Sequence, residues 1–182
     1  MKKTGVLLIN LGTPDSPKVK SVGPYLLEFL NDARVIDLPW ILRKLIVNVF
    51  IVPIRMFGSA KEYQKLWTEK GSPLLYHSQD LQKLIQEELG DNYDVHLAMR
   101  YNKPSIKSVL AEMKKAHYEE IILFPLYPQY ASSSSGTAIE KAMQYISKWW
   151  VIPNLKIVSE FYEDEGYIES VVARAQEFNL DS

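Results

Sequence analysis

Four short apolar runs punctuate the chain, at residues 6–9, 95–98, 121–124 and 155–158. Each is about as long as a strand and shows little alternation of apolar and polar positions. Runs of that kind suit strands buried on both faces, as in a parallel sheet. Helical spacing fills the intervals. Val22, Leu26, Phe29 and Leu30 form one face across residues 19–30, and Leu81, Leu84, Ile85 and Leu89 form a second. Ile106, Val109, Leu110 and Met113 form a third, with Pro104 expected in its first turn. Ile139, Met143 and Ile146 make a fourth, and Ile168, Val171, Val172 and Ala175 a fifth.

Strand alternating with helix predicts a doubly wound α/β fold with right-handed crossovers and a four-stranded parallel sheet. One interval breaks the rhythm. About 85 residues separate the first two strands, far more than a crossover requires. That helical insertion after the first strand contains the apolar segment 40–57 and the segment 59–68. It reads as a lid, a binding wall or an extra helical layer. No internal repeat or low-complexity linker divides residues 1–182, which are expected to form one lobe.

Composition removes several classes of function. A net charge of −1 gives no basic field for nucleic acid, so none is expected as a partner. The absence of cysteine excludes disulfides and thiolate metal sites within these residues. The apolar run near the start is too short for a signal-peptide core. The segment 40–57 is interrupted by Arg43, Lys44, Asn48, Pro53 and Arg55, which disfavours a membrane span. The expected location is cytoplasmic, with peripheral membrane contact through 40–57 left open.

Ligands of open α/β sheets bind beyond the carboxyl ends of the strands. Those positions hold Asn10 to Pro14, then Met99-Arg100-Tyr101, then Pro125 to Thr137, then Glu160-Phe161-Tyr162. Rings, one arginine and many hydroxyls suit a flat aromatic ligand bearing acid groups, with Arg100 offering a fork to a carboxylate. The run Ser132-Ser133-Ser134-Ser135 before Gly136 is expected either to cap the next helix or to bind an anion there. It lacks the Gly-Lys-Ser/Thr of a phosphate loop. His77, His96 and His117 share no metal-ligand spacing, and no metal ligands are expected among these residues.

Five blocks resemble the ferrochelatase family. They are Leu7-Leu8-Ile9-Asn10-Leu11-Gly12-Thr13-Pro14, then Tyr63, then Gly71-Ser72-Pro73-Leu74, then Met99-Arg100-Tyr101, then Leu126-Tyr127-Pro128-Gln129-Tyr130-Ala131-Ser132-Ser133-Ser134-Ser135-Gly136. The resemblance spans the chain but only about the first half of the family's usual length. It implies a flavodoxin-like, chelatase-like N-terminal lobe of a two-lobed lyase that inserts ferrous iron into protoporphyrin IX in haem synthesis. It places Arg55, Tyr63 and Ser72 at the porphyrin's acidic edge and Leu11 near the ring plane. It places Arg100, Tyr101 and Tyr127 along the pocket, and makes 40–57 a lip over it.

The same resemblance puts the catalytic histidine and glutamate beyond Ser182, so the lobe alone is expected to be inactive. Some relatives hold an iron–sulfur cluster through a cysteine where this chain has Ser132, so no cluster is expected, and iron enters as substrate only. A second lobe and the porphyrin are the expected partners, and the uncovered lobe is expected to self-associate. Two alternatives stay open: a chelatase for coproporphyrin with iron or sirohydrochlorin with cobalt or nickel, and a non-catalytic phosphate- or nucleotide-binding module.

Overall fold

A computed structural model describes residues 3–178. The four predicted strands form one parallel sheet: β1 (Thr4–Asn10), β2 (Tyr93–Met99), β3 (Glu120–Pro125) and β4 (Asn154–Ile157), in the order β2-β1-β3-β4. In register, Leu7 of β1 pairs with His96 on one side and Leu123 on the other. The chain steps from β1 out to β2, then returns across β1 to β3. The crevice of such a sheet lies between β1 and β3, where the strand order reverses.

Among the described residues, seven α-helices accompany the sheet: α1 (Val19–Leu30), α2 (Trp40–Leu45), α3 (Val52–Leu66), α4 (Pro73–Leu89), α5 (Ile106–Ala116), α6 (Thr137–Ile146) and α7 (Glu165–Glu177). On one face, Leu7, Ile9 and Leu123 meet the apolar stripes of α5 and α6. On the other, Val6, Leu8 and Leu97 meet Leu74, Leu75 and Ile85 of α4. α7 joins that second face through a ring stack, Phe124 on Phe161 at 5.3 Å and Phe161 edge-on to Tyr167 at 5.4 Å.

Burial on both faces holds fully only for β1, where Val6 to Ile9 are all buried; β3, the other inner strand, alternates buried and half-buried positions. β4 departs from the expectation. It is an edge strand, Ile157 is 42% exposed, and it starts one residue earlier than its apolar run. Pro104 also lies outside its helix. Ser105 is the N-cap of α5, and its Oγ accepts the Ser108 amide at 3.1 Å. The serine run is itself helical, a π turn from Ser132 to Gly136 leading into α6, and no serine side chain caps that helix.

Within the long insertion, residues 40–66 form a continuous helical arm. α2 runs through a π-helical turn, Ile46–Ile51, into α3. The inward positions are Arg43 and Val47, then Val52 and Ala60, with half-buried Met56 and Tyr63. Spacing by four holds on each side of the π turn, and five residues separate Val47 from Val52. One inserted residue therefore keeps a single face turned to α1. Outward, Trp40, Ile41, Leu45, Phe50, Ile54 and Phe57 are exposed.

Gly12 fixes how the loop after β1 meets the loop after β2. Its φ is +105°, and a Cβ there would stand 1.9 Å from the Tyr101 carbonyl oxygen. The two loops extend the ladder, with Arg100 N–H on the Asn10 carbonyl at 2.7 Å and Tyr101 N–H on the Leu11 carbonyl at 2.9 Å. Gly12→Ala therefore breaks both the backbone conformation and the close approach. A destabilisation of about 3 kcal/mol is expected by chemical denaturation, and a change below about 0.5 kcal/mol would show that the loops do not need this contact.

Candidate functional site

The loop after β1 enters a cleft of about 250 Å³. Leu11, Gly12 and Thr13 form its floor, Tyr25 of α1 one side, and Tyr63, Leu66 and Trp67 the arm side. Ser72, Pro73 and Leu74, at the start of α4, close it. Three residues singled out by sequence therefore share one cleft: Leu11, Tyr63 and Ser72. Arg55 lies in an adjoining cleft of about 520 Å³ that shares Tyr63 and Leu66 with the first. Its side chain is exposed.

Tyr25 and Trp67 were not picked from the sequence. Their rings complete an aromatic row, Tyr25 edge-on to Tyr63 at 6.1 Å and Tyr63 edge-on to Trp67 at 6.4 Å. Trp67 could have been found four residues past Tyr63, since that spacing returns to one helix face. Tyr25 could not, because it reaches the cleft only through the packing of α1 against the arm. Burial raises the phenol pKa of Tyr25. Burial raises that of Tyr63 as well, against a lowering from its bond with Tyr25. Both hydroxyls stay protonated at neutral pH. Tyr25 O–H donates to the Gly12 carbonyl at 3.3 Å, while the buried Thr13 hydroxyl has no partner among the described residues.

Arg100, Tyr101 and Tyr127 lie at the same end of the sheet but beneath this cleft. Tyr101 has no exposed surface, and the side chain of Arg100 is 10% exposed. The fork expected of Arg100 already has protein partners: its Nη2 donates to Asp32 and its Nε to the Thr137 hydroxyl at 2.7 Å. Tyr101 O–H donates to the same Asp32 oxygen at 2.9 Å, and the Arg34 amide donates to the other at 2.8 Å. The Arg100 guanidinium also covers the Tyr101 ring at 4.4 Å. Tyr127 is half-buried, and its buried hydroxyl has no partner among the described residues. Ser132 is exposed and accepts a hydrogen bond from Arg34 Nη1 at 3.0 Å.

Asp32 was missed by the sequence reading. It sits two residues beyond α1, where an aspartate reads as an ordinary turn residue. The structure makes it the acceptor that joins α1, the loop after β2 and the start of α6. The histidines stay apart: His77 exposed on α4, His96 bonded to Tyr118 O–H at 2.9 Å, and His117 in the left-handed cap of α5. Among the described residues, no three acidic or histidine side chains gather as a metal site.

The sequence model of the ferrochelatase family matches residues 3–180. The chain is 49% identical to a ferrochelatase of Legionella pneumophila (strain Paris) over 168 residues, covering 92% of this chain and 50% of that relative. It is 46% identical to a ferrochelatase of Chromobacterium violaceum, over 94% of this chain and 48% of that relative. Against a ferrochelatase of Coxiella burnetii (strain RSA 493 / Nine Mile phase I) the identity is 43%, over 96% of this chain and 48% of that relative. The chain thus spans about half the length of the curated relatives it matches.

Burial raises the Asp32 carboxyl pKa, but the Thr137, Arg34 and Arg100 contacts outweigh it and leave the group below the usual carboxylate range. Its stabilising effect is complete above the unfolded carboxyl pKa of about 3.9 and fades as pH falls through the lower folded value. Asp32→Asn leaves the Arg100 charge without its counter-ion, at a cost of about 3 kcal/mol at pH 7. The expected outcome is a lower melting temperature at pH 7 and a flatter loss between pH 5 and 2. An unchanged acid limb by calorimetry would remove Asp32 from this role.

Proposed function

The chain belongs to the ferrochelatase family, and we propose that this lobe forms one wall of a slot that holds a porphyrin during ferrous-iron insertion. The observation that carries the reading is the aromatic cleft at the carboxyl ends of the strands, with Leu11, Tyr63 and Ser72 on its lining and Arg55 in the next cleft. Edge-on rings present flat apolar faces to a macrocycle, and protonated phenols donate to its acid groups without repelling them. Arg100, Tyr101 and Tyr127 act from below, as a rigid base that holds the floor in place.

Insertion bends a flat ring, removes two pyrrole protons and admits a divalent ion. Binding energy from the ring's periphery offsets the cost of bending. The proton-removing histidine and glutamate are proposed to lie outside these residues. Iron is a substrate of the reaction, and with Ser132 in place of a cysteine the lobe is proposed to hold no iron–sulfur cluster.

Titration of protoporphyrin IX against the lobe, read at the Soret band, tests the binding. Saturable binding is expected, weakened about tenfold by Tyr63→Ala, or about 1.4 kcal/mol. Zinc insertion at no more than the buffer rate is expected for the lobe alone. The absence of any saturable Soret change would overturn the reading.

The outward face of the arm is proposed to touch a membrane surface. Ile41 is 74% and Ile54 75% exposed, and no helix among the described residues is long and apolar enough to cross a membrane. Partial insertion of such side chains is favourable at about 1.5 kcal/mol or more each. A second apolar surface on α7, with Ile168, Val171 and Val172 about half exposed, is proposed to drive self-association. Ile41→Ser with Ile54→Ser is expected to cut vesicle binding at least tenfold in flotation assays. The concentration-dependent rise in mass by light scattering should persist in that variant. Equal vesicle binding by variant and parent would sink the membrane reading.

A further inference from the structure

The loop after β1 is the floor of the aromatic cleft, and its carbonyls from Asn10 to Thr13 are each held by a separate donor. The Asn10 and Leu11 carbonyls accept the amides of Arg100 and Tyr101, which continue the ladder between β1 and β2. The Gly12 and Thr13 carbonyls lie past that ladder and accept from side chains instead. Tyr25 O–H serves Gly12 at 3.3 Å, and Asn102 Nδ2 serves Thr13 at 2.7 Å. The shorter of these two bonds comes from a residue that does not line the cleft and that lies one position past the block Met99-Arg100-Tyr101.

Asn102 is bound on three sides. Its φ is +67°, a left-handed conformation that asparagine tolerates better than most residues with a side chain. Its backbone N–H donates to Glu28 Oε2 of α1 at 2.9 Å. Its side-chain nitrogen carries two hydrogens and meets two acceptors, the Thr13 carbonyl and Asp15 Oδ1 at 3.0 Å. Hydrogens and acceptors therefore match in number. A glycine here keeps the backbone turn and the Glu28 bond and loses only the amide. A carboxylate of the same shape faces both acceptors with no proton to give. A cavity of about 140 Å³ adjoins Asn102, so hydrogen bonds rather than close packing fix the loop on that side.

We propose that Asn102 is a positioning residue for the tetrapyrrole, acting through the Thr13 carbonyl to set where the floor, and Leu11 with it, meets the ring. The inference rests on the porphyrin reading above. Asn102 does not touch the ligand, and its effect is carried by the loop it holds. A gap of about 1 Å beneath a flat ring already forfeits up to about half of each contact's attraction, so a small drift of the floor is enough to weaken binding.

The test is Soret titration of protoporphyrin IX in one detergent, well below each protein's melting transition. It compares the parent with Asn102→Gly, Asn102→Asp, Leu11→Ala and the double variant of Leu11→Ala with Asn102→Gly. Asn102→Gly is expected to bind about fivefold more weakly, with far-ultraviolet circular dichroism unchanged. On the Leu11→Ala background the same change should cost less than about twofold, because both act on one contact. Asn102→Asp is expected to bind more weakly than the parent at pH 8 and to approach it toward pH 5. Asp15 and Glu28 oppose ionisation of the new carboxyl and Lys20 favours it, while Tyr25 stays neutral. With two acids against one cation, the carboxyl takes up a proton early and donates again. Taking the ratio to the parent at each pH cancels the titration of the porphyrin's own acid groups. Parental affinity in Asn102→Gly, losses that multiply in the double variant, or an Asp variant that tracks the parent at every pH overturns the positioning role and leaves the porphyrin reading in place. Failure of the parent to bind protoporphyrin IX would instead overturn both.

Discussion

One carboxylate ties the working end of this lobe together. Asp32 accepts from Arg100, Tyr101, Thr137 and the Arg34 amide, and those donors come from the loop after β2, the start of α6 and its own turn. An arginine and a carboxylate out of water stabilise only when their remaining hydrogen-bonding positions are filled. Here Thr137 and Tyr101 fill them, so the floor beneath the aromatic cleft is rigid rather than adaptable. In this arrangement Arg100 braces the loop after β2 against Asp32 and the start of α6.

Above that floor, the arm from α2 to α3 faces two ways. Its inner face packs on α1 and brings Tyr63 and Trp67 to the cleft. Its outer face leaves Trp40, Ile41, Phe50 and Ile54 in solvent. A regular α-helix would drift as it ran, turning inner positions outward. The π turn absorbs one residue and holds the buried face straight. The same adjustment keeps the apolar outer residues together as a surface. Wall and proposed membrane contact are therefore two faces of one helix.

The aromatic cleft and the Arg55 cleft share Tyr63 and Leu66, so the row of rings and the arm's outer end belong to one continuous lining.

The apolar runs were enough to place four strands and to make the sheet parallel, because central strands must be apolar on both sides. The same logic failed at β4, whose short apolar run serves an edge. Leu11, Tyr63 and Ser72 came from the family resemblance, and the structure brings all three to one cleft. Asp32 and Tyr25 were not legible. Each is an ordinary residue in an ordinary local setting, and each gains its role from a partner far along the chain, as Asp32 does from Thr137 across 105 positions. Local pattern determined which segments become strand or helix, since periodicity acts over a few residues. Only the tertiary structure decided which polar groups were paired and which were left open, because long-range packing sets the distance between them.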